Sequence, residues 1–340
     1  MLKKFIWKGI LFTLILTVIL AAFSPIFVYK TQHKGKLDEG LYLSGDQYDV
    51  VFMGSSHMNG SMDPNVIWHQ QGITSFNYAT GGQPIDATYY LLKDVLAKHK
   101  NPIVVLDVFY LGMTTKYGER GFVSNALDNM RFSGSKLDAI WNCTPPEDWL
   151  LYLLPVLKYH FRWSTLEKKD FNFDEASLYY TKGFVAGTNK YGKQNSAWES
   201  TENRIDIPER PLEYLNKIID LCKQENCRLI LVNMPADYSE PDNQQGWVDD
   251  TEALLNSIAD FADSRQIPFL DFYDRKDEFG LDFANDMNNA GHLNLWGAVK
   301  ISSYFGNYLA SNYSLSDHRS DSAYAQWNSD YTHSQAAGVL

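Results

Sequence analysis

Between Lys8 and Lys30 lie 21 consecutive uncharged residues, GILFTLILTVILAAFSPIFVY. That is about the length a helix needs to cross a hydrocarbon core. A buried core helix would need neighbours on every side, and a run at the extreme terminus before polar sequence has none close by in the chain. A cleavable signal peptide has a shorter apolar core and a small-residue site behind it, whereas Leu20-Ala21-Ala22 continues into the apolar stretch Phe23 to Tyr29. The expected order is a short cytoplasmic tail (1–8), an uncleaved signal anchor (9–29) and a linker (30–44, KTQHKGKLDEGLYLS). Three lysines precede the span and three follow it, so the positive-inside count is tied. The shortness of the tail favours export of everything behind it, giving a single-pass plasma-membrane protein with an extracellular domain. The inverse topology, a cytosol-facing domain, is the alternative.

Charge narrows the partners. The first 36 residues hold six lysines and no acid, and the rest of the chain carries a net charge of −17. Such a surface repels phosphate backbones, which sets nucleic acid aside. Three cysteines are too few for a disulfide framework, and the Cys222/Cys227 pair lacks a second pair to complete a zinc site. Buried thiols or one local bridge are expected. The glycosylation patterns at Asn142 and Asn312 read as chance matches.

From Tyr48 the chain alternates short β-branched or aromatic runs with longer amphipathic ones. Residues 48–53, 75–78, 102–109, 227–233 and 267–272 read as strands. Residues 86–99, 211–224 and 251–265 repeat apolar side chains at helical spacing, as in Leu215, Ile218, Ile219 and Cys222. This predicts an α/β domain over 45–312: a three-layer α/β/α sandwich with a mostly parallel, flavodoxin-like five-stranded sheet. Residues 110–206 interrupt the alternation with an aromatic-rich insertion holding Trp141, Trp149, Trp163 and Trp198. It reads equally as a lid over the strand ends or as a segment packed onto the domain. Residues 313–340 are polar and expected to be flexible.

The first strand, YDVVFM, runs straight into Gly54-Ser55-Ser56-His57. Glycine followed by two serines permits a tight strand-to-helix turn with a hydroxyl beside free backbone amides. A serine there becomes a nucleophile only if a base takes its proton. The best base is His292, in Asn289-Ala-Gly-His-Leu-Asn-Leu-Trp-Gly before the last helical pattern. Serine early and histidine last is an order a doubly wound sheet brings together.

VVFMGSSH, NYATGGQP and GHLNLWGA, with the strand order between them, resemble the SGNH/GDSL-type hydrolases over roughly residues 46–310. The similarity is to the exported, membrane-anchored branch that includes the teichoic acid D-alanyl transfer protein and polysaccharide O-acetyltransferases. The resemblance implies Ser56 as nucleophile, with Ser55 the runner-up, and His292 as base. It also implies an oxyanion hole formed by the amides of Ser56 and of Gly81 or Gly82, with Gln83 either an added donor or a turn stabiliser. Two departures stand out. The usual acid, three residues before the histidine, is Asn289, and the nearest carboxylate upstream is Asp286, then Asp282. Asp286 is expected to meet the imidazole through a longer loop; the other arrangement is a Ser-His pair oriented by the Asn289 amide. After the third strand, Leu106-Asp107 replaces the asparagine many relatives use, and Asp107 either orients the site or caps a turn.

His57 is expected to serve the surface or packing, and Asp271 and Asp274 to cap turns. No cofactor and no metal are expected, because neither a phosphate loop nor metal-ligand spacing occurs. The resulting expectation is an externally facing serine esterase or O-acyltransferase. Its substrates would be acyl esters of an envelope glycan or polyol polymer, and the resemblance adds an integral membrane acyltransferase as partner. The alternative is a non-catalytic envelope module that binds glycan or such a partner.

Overall fold

The structure, a computed structural model, describes residues 2–30, 32–43, 45–171, 180–195, 201–237 and 246–340. Helix α1 (Leu2–Phe27) takes in the uncharged run up to Phe27, has a mean hydropathy of 2.5 and is almost wholly unburied, so it is long and apolar enough to span a membrane.

Five strands form one all-parallel sheet: β1 (Val50–Met53), β2 (Ser75–Asn77), β3 (Ile103–Asp107), β4 (Arg228–Asn233) and β5 (Phe269–Asp271). They lie within the five expected runs, shortened by at most two residues at either end. Their order is β2-β1-β3-β4-β5, with Val51 level with Phe76 on one side and Val104 on the other. The chain leaves β1 to one side for β2 and returns on the other for β3, so the carboxyl ends of these strands frame a crevice. Side chains alternate between two apolar cores: Val51, Met53, Val104 and Leu106 enter one, Val50, Phe52, Ile103 and Val105 the other. Burial on both faces explains why these strands are continuous apolar runs.

Along the chain follow α2 (Gln32–Leu37), α3 (Ser56–Asn59), α4 (Pro64–Gln71) and α5 (Ile85–Lys98). The insertion contributes α6 (Arg120–Leu127), α7 (Gly134–Cys143), α8 (Trp149–Leu153) and α9 (Pro155–Tyr159). Then come α10 (Glu209–Gln224), α11 (Thr251–Ser264), α12 (Phe283–Asp286), α13 (Leu295–Asn312) and α14 (Ala325–His333). Helices α5, α10 and α11 place Leu91, Ile218 and Ile258 in the first core, while α4 and α13 place Ile67, Ile301 and Phe305 in the second. Pro155 divides the long apolar run of the insertion by opening α9. Trp198 lies outside the described residues. The three cysteines are free thiols.

Two segments depart from expectation. Residues 32–43 of the expected linker are built into the domain: Leu37 and Leu41 join the first core, and Tyr78 Oη donates to Gly40 O at 2.7 Å. The tail beyond 313 is folded as well. Trp327 on α14 is 1% exposed, packs against Trp68 at 5.1 Å between ring centroids, and donates to Asp46 Oδ2 at 3.1 Å. Asp330 pairs with the buried Lys182, whose ammonium lies over the Trp327 ring. Tyr324 and Tyr331 pack against the same core and Ala336 is buried in a smaller cluster, so a few apolar side chains fix a largely polar segment.

Candidate functional site

At the end of β1 the chain turns at Gly54, whose φ is +139°. A Cβ there would lie 2.5 Å from Asp107 Cβ at the end of β3, so only glycine fits. Ser55 is the N-cap of α3: its Oγ accepts from the His57 N–H at 3.3 Å and donates to Asp107 Oδ2 at 2.7 Å. Asp107 also accepts the N–H groups of Ser55 (3.3 Å) and Phe109 (3.1 Å). Both roles considered for Asp107 are therefore realised: it caps its own turn and clamps the serine turn. Ser55, committed to that clamp, leaves Ser56 as the serine facing the imidazole.

His292 arrives on a hairpin, β6 (Met287–Asn289) and β7 (His292–Leu293), that no periodicity in the sequence signalled. Its Nε2 lies 2.8 Å from Ser56 Oγ, and its Nδ1 lies 3.0 Å from Asn289 Oδ1. The Gly291 N–H donates to the same Asn289 oxygen at 3.0 Å, which fixes the amide with its oxygen toward both donors. Nδ1 therefore carries the proton, and Nε2 is left to accept from Ser56. The arrangement is Ser56-His292-Asn289.

Asp286 does not occupy the expected place. Its carboxylate accepts from Lys300 Nζ at 2.6 Å and from the Asp282 N–H at 2.7 Å, tying α12 to α13. Asp282 caps α12 by accepting from the Ala284 N–H. The loop is no longer than its sequence spacing, so the residue three before the histidine, Asn289, takes the orienting position.

His57 serves packing, as expected, but packing of the imidazole itself. Its ring is stacked 3.8 Å from Phe109 on one side and 4.8 Å from His292 on the other, and Phe109 continues the row to Trp247 at 5.1 Å. Burial, reinforced by the neighbouring His292, holds the His57 pKa well below its ordinary value. A neutral ring thus walls one face of His292.

Gly82 has a φ of +69°, and a Cβ there would run into the Phe122 ring of α6 at 2.2 Å. Asn125 Nδ2, on the same helix, donates to Gly81 O at 2.7 Å. The insertion thus presses directly on the glycine turn. The Gly81 N–H is engaged by His33 Nε2 of α2 at 3.4 Å, and burial lowers the pKa of His33 to about 3. Beside it, Lys36 donates to Asn59 Oδ1 and, at 2.6 Å, to Ala79 O. Gln83 stabilises the turn: Thr80 Oγ1 donates to its Oε1 at 2.9 Å, and its Nε2 donates to Thr88 Oγ1 at 2.8 Å. Asp271 accepts from Asn233 Nδ2 (3.0 Å) and the Tyr273 N–H (2.8 Å), and Asp274 lies in the following turn.

Burial raises Asp63 to about 7 and both Asp107 and Asp271 to about 6. Each binds its proton more tightly in the folded than in the unfolded chain. Their contribution to stability is therefore full below about pH 4 and is lost as pH rises through 6 to 7. Asp107→Asn is expected to flatten the pH dependence of thermal unfolding of the full chain between pH 4 and 6. An unaltered slope would show that Asp107 does not titrate there.

Compared with known proteins, the chain matches no protein-family model and no curated sequence.

Proposed function

We propose that this protein is a membrane-anchored extracytoplasmic serine esterase or O-acyltransferase of SGNH/GDSL type, in which the sheet order 2-1-3-4-5 belongs to a three-layer, flavodoxin-like domain. The observation that carries this reading is the 2.8 Å approach of Ser56 Oγ to His292 Nε2, across 236 residues of sequence, on a turn held by a buried carboxylate. Ser56 Oγ attacks the acyl carbonyl carbon as its proton passes to His292 Nε2. The oxyanion develops against the amides of Ser56 and Gly82, the Gly81 N–H being engaged by His33. Collapse breaks the ester C–O bond, and the leaving alcohol takes the proton back from His292. Water or a sugar or polyol hydroxyl of the envelope then attacks the acyl-serine, giving up its proton to His292 as Ser56 regains its own. An integral membrane acyltransferase is a fitting donor of the acyl group. The anchor supports this setting, and protease digestion of intact cells tests it by cleaving an external domain and sparing a cytosolic one.

The test of the chemistry is labelling of the full chain with a fluorophosphonate probe, which reacts with an activated serine. A folded chain that stays unlabelled would overturn the assignment. Two observations favour the second reading, a non-catalytic binding module: the orienting group is an amide, and the Gly81 N–H is engaged by His33.

Asn289→Asp distinguishes the two. A carboxylate at this position would stabilise the imidazolium formed as Ser56 loses its proton, and a charge-assisted bond is about twice as strong as a neutral one. The labelling rate is expected to rise on the order of tenfold, equivalent to about 1.4 kcal/mol. A rate that stays at zero in this variant would favour the binding module.

A further inference from the structure

The described residues leave a cavity of about 750 Å³ between the anchor helix and the insertion. That is a volume typical of a site for an organic ligand. One wall is α1, through Thr17, Ala21 and Ser24, continued by Val28 just beyond its end; the other is the insertion, through Met130, Phe132, Leu150 and Leu153. The two walls are tied together above: the Val156 N–H donates to Ser24 Oγ at 3.2 Å, and Arg162 Nη1 donates to Phe27 O at 2.6 Å.

Depth identifies the occupant. With a rise of about 1.5 Å per residue, Thr17 lies roughly 15 Å along the helix from its end at Phe27, about half the thickness of a hydrocarbon core. A helix that spans a bilayer therefore holds this cavity inside the leaflet on the domain's side, whichever side that is. The insertion wall is built for the same medium: Phe132 is 75% exposed and Leu150 56%, with Trp163 at 73% nearby on the segment that packs on α1. Its charge fits as well. Residues 110–171 hold eight basic and seven acidic side chains, whereas 172–340 carry a net charge of −13.

The cavity also leads somewhere. Val28, Asp128 and Asn129 border both it and a smaller, more polar cleft of about 290 Å³ that includes Asn125 and Lys158. Asn125 of this cleft donates to Gly81 O, so one side chain separates the polar cleft from the glycine turn beside the serine.

We propose that the groove between α1 and the insertion takes an alkyl chain of a membrane lipid from the adjoining leaflet. Its second half rests on the esterase reading: the substrate of Ser56 is an amphiphile whose polar part follows the Asp128–Asn125 cleft while its chain stays in the groove.

The full chain is reconstituted in phosphatidylcholine/phosphatidylglycerol vesicles containing a phospholipid with a diazirine at mid-chain, irradiated, and its cross-linked peptides mapped. Cross-links are expected on residues 130–132 and 150–154 of the insertion as well as on the outward face of α1. Ala21→Trp, and separately Thr17→Trp, fill the groove and are expected to lower the insertion cross-links at least fivefold while those at Leu11 and Leu14 persist. Absence of insertion cross-links, or insertion cross-links indifferent to both tryptophans, would overturn the groove. Fluorophosphonate labelling of the same samples keeps the two ideas apart: loss of the groove with labelling retained refutes only the groove, and the converse refutes only the esterase.

Discussion

Alanine at Ser56 is expected to abolish covalent labelling by a fluorophosphonate, and alanine at His292 to slow it by about a thousandfold or more, the scale set by general-base catalysis. The two effects are expected to be non-additive, because Ser56 Oγ and His292 Nε2 act through one hydrogen bond. Ser55→Ala is the informative companion. It removes an N-cap, costing about 1 kcal/mol, and deprives the buried Asp107 of a donor, costing about 1–3 kcal/mol. Unfolding should therefore come earlier while labelling survives. If instead Ser55→Ala abolished labelling in a folded chain and Ser56→Ala spared it, the nucleophile would have to be reassigned to the residue now bound to Asp107.

Gly54→Ala is expected to be the most damaging substitution that removes no functional atom. A side chain there meets a backbone angle that L-residues rarely adopt, at about 1–3 kcal/mol, and overlaps the Cβ of Asp107, at about 1–3 kcal/mol more. The neighbouring atom is on a short side chain anchored by three hydrogen bonds, so it cannot step aside without releasing the serine turn. A drop of several degrees or more in Tm, with labelling lost in the fraction still folded, is the expected outcome. A variant as stable as the parent would mean that β1 and β3 separate readily at their carboxyl ends.

How much of this was legible depended on the range of the interaction. Strand runs such as Val50–Met53 and Ile103–Asp107 declare themselves because their burial on both faces leaves no polar positions. The serine turn declared itself through Gly54, whose conformation only glycine fits. Spacing from His292 offers Asn289 and Asp286 as alternative orienting groups, and composition favours Asp286 only because a carboxylate is the usual partner. Of the two hydrogen bonds that claim Asp286, the one to the Asp282 backbone is local to α12, and the one to Lys300 of α13 joins elements whose packing cannot be read from spacing. His57 and His33 show the same limit from another side. One stacks on a ring from the turn after β3 and the other reaches a turn after β2, and neither contact leaves a periodic trace. In the C-terminal segment, polar composition concealed the few apolar side chains, Trp327 among them, that fold it.

The placement of His33 against Gly81 has a bearing on geography. Six residues separate Phe27, at the end of α1, from His33, and a fully extended chain of that length reaches only about 20 Å. If α1 spans a bilayer and Ser56 is the nucleophile proposed above, that contact would hold the serine at a fixed, low altitude above the lipid headgroups. A polymer strand farther out in the envelope would then stay beyond its radius until diffusion or growth brought it down to the surface. Such a tether would restrict reaction to a thin layer next to the bilayer, where molecules that are themselves attached to the membrane are concentrated in two dimensions.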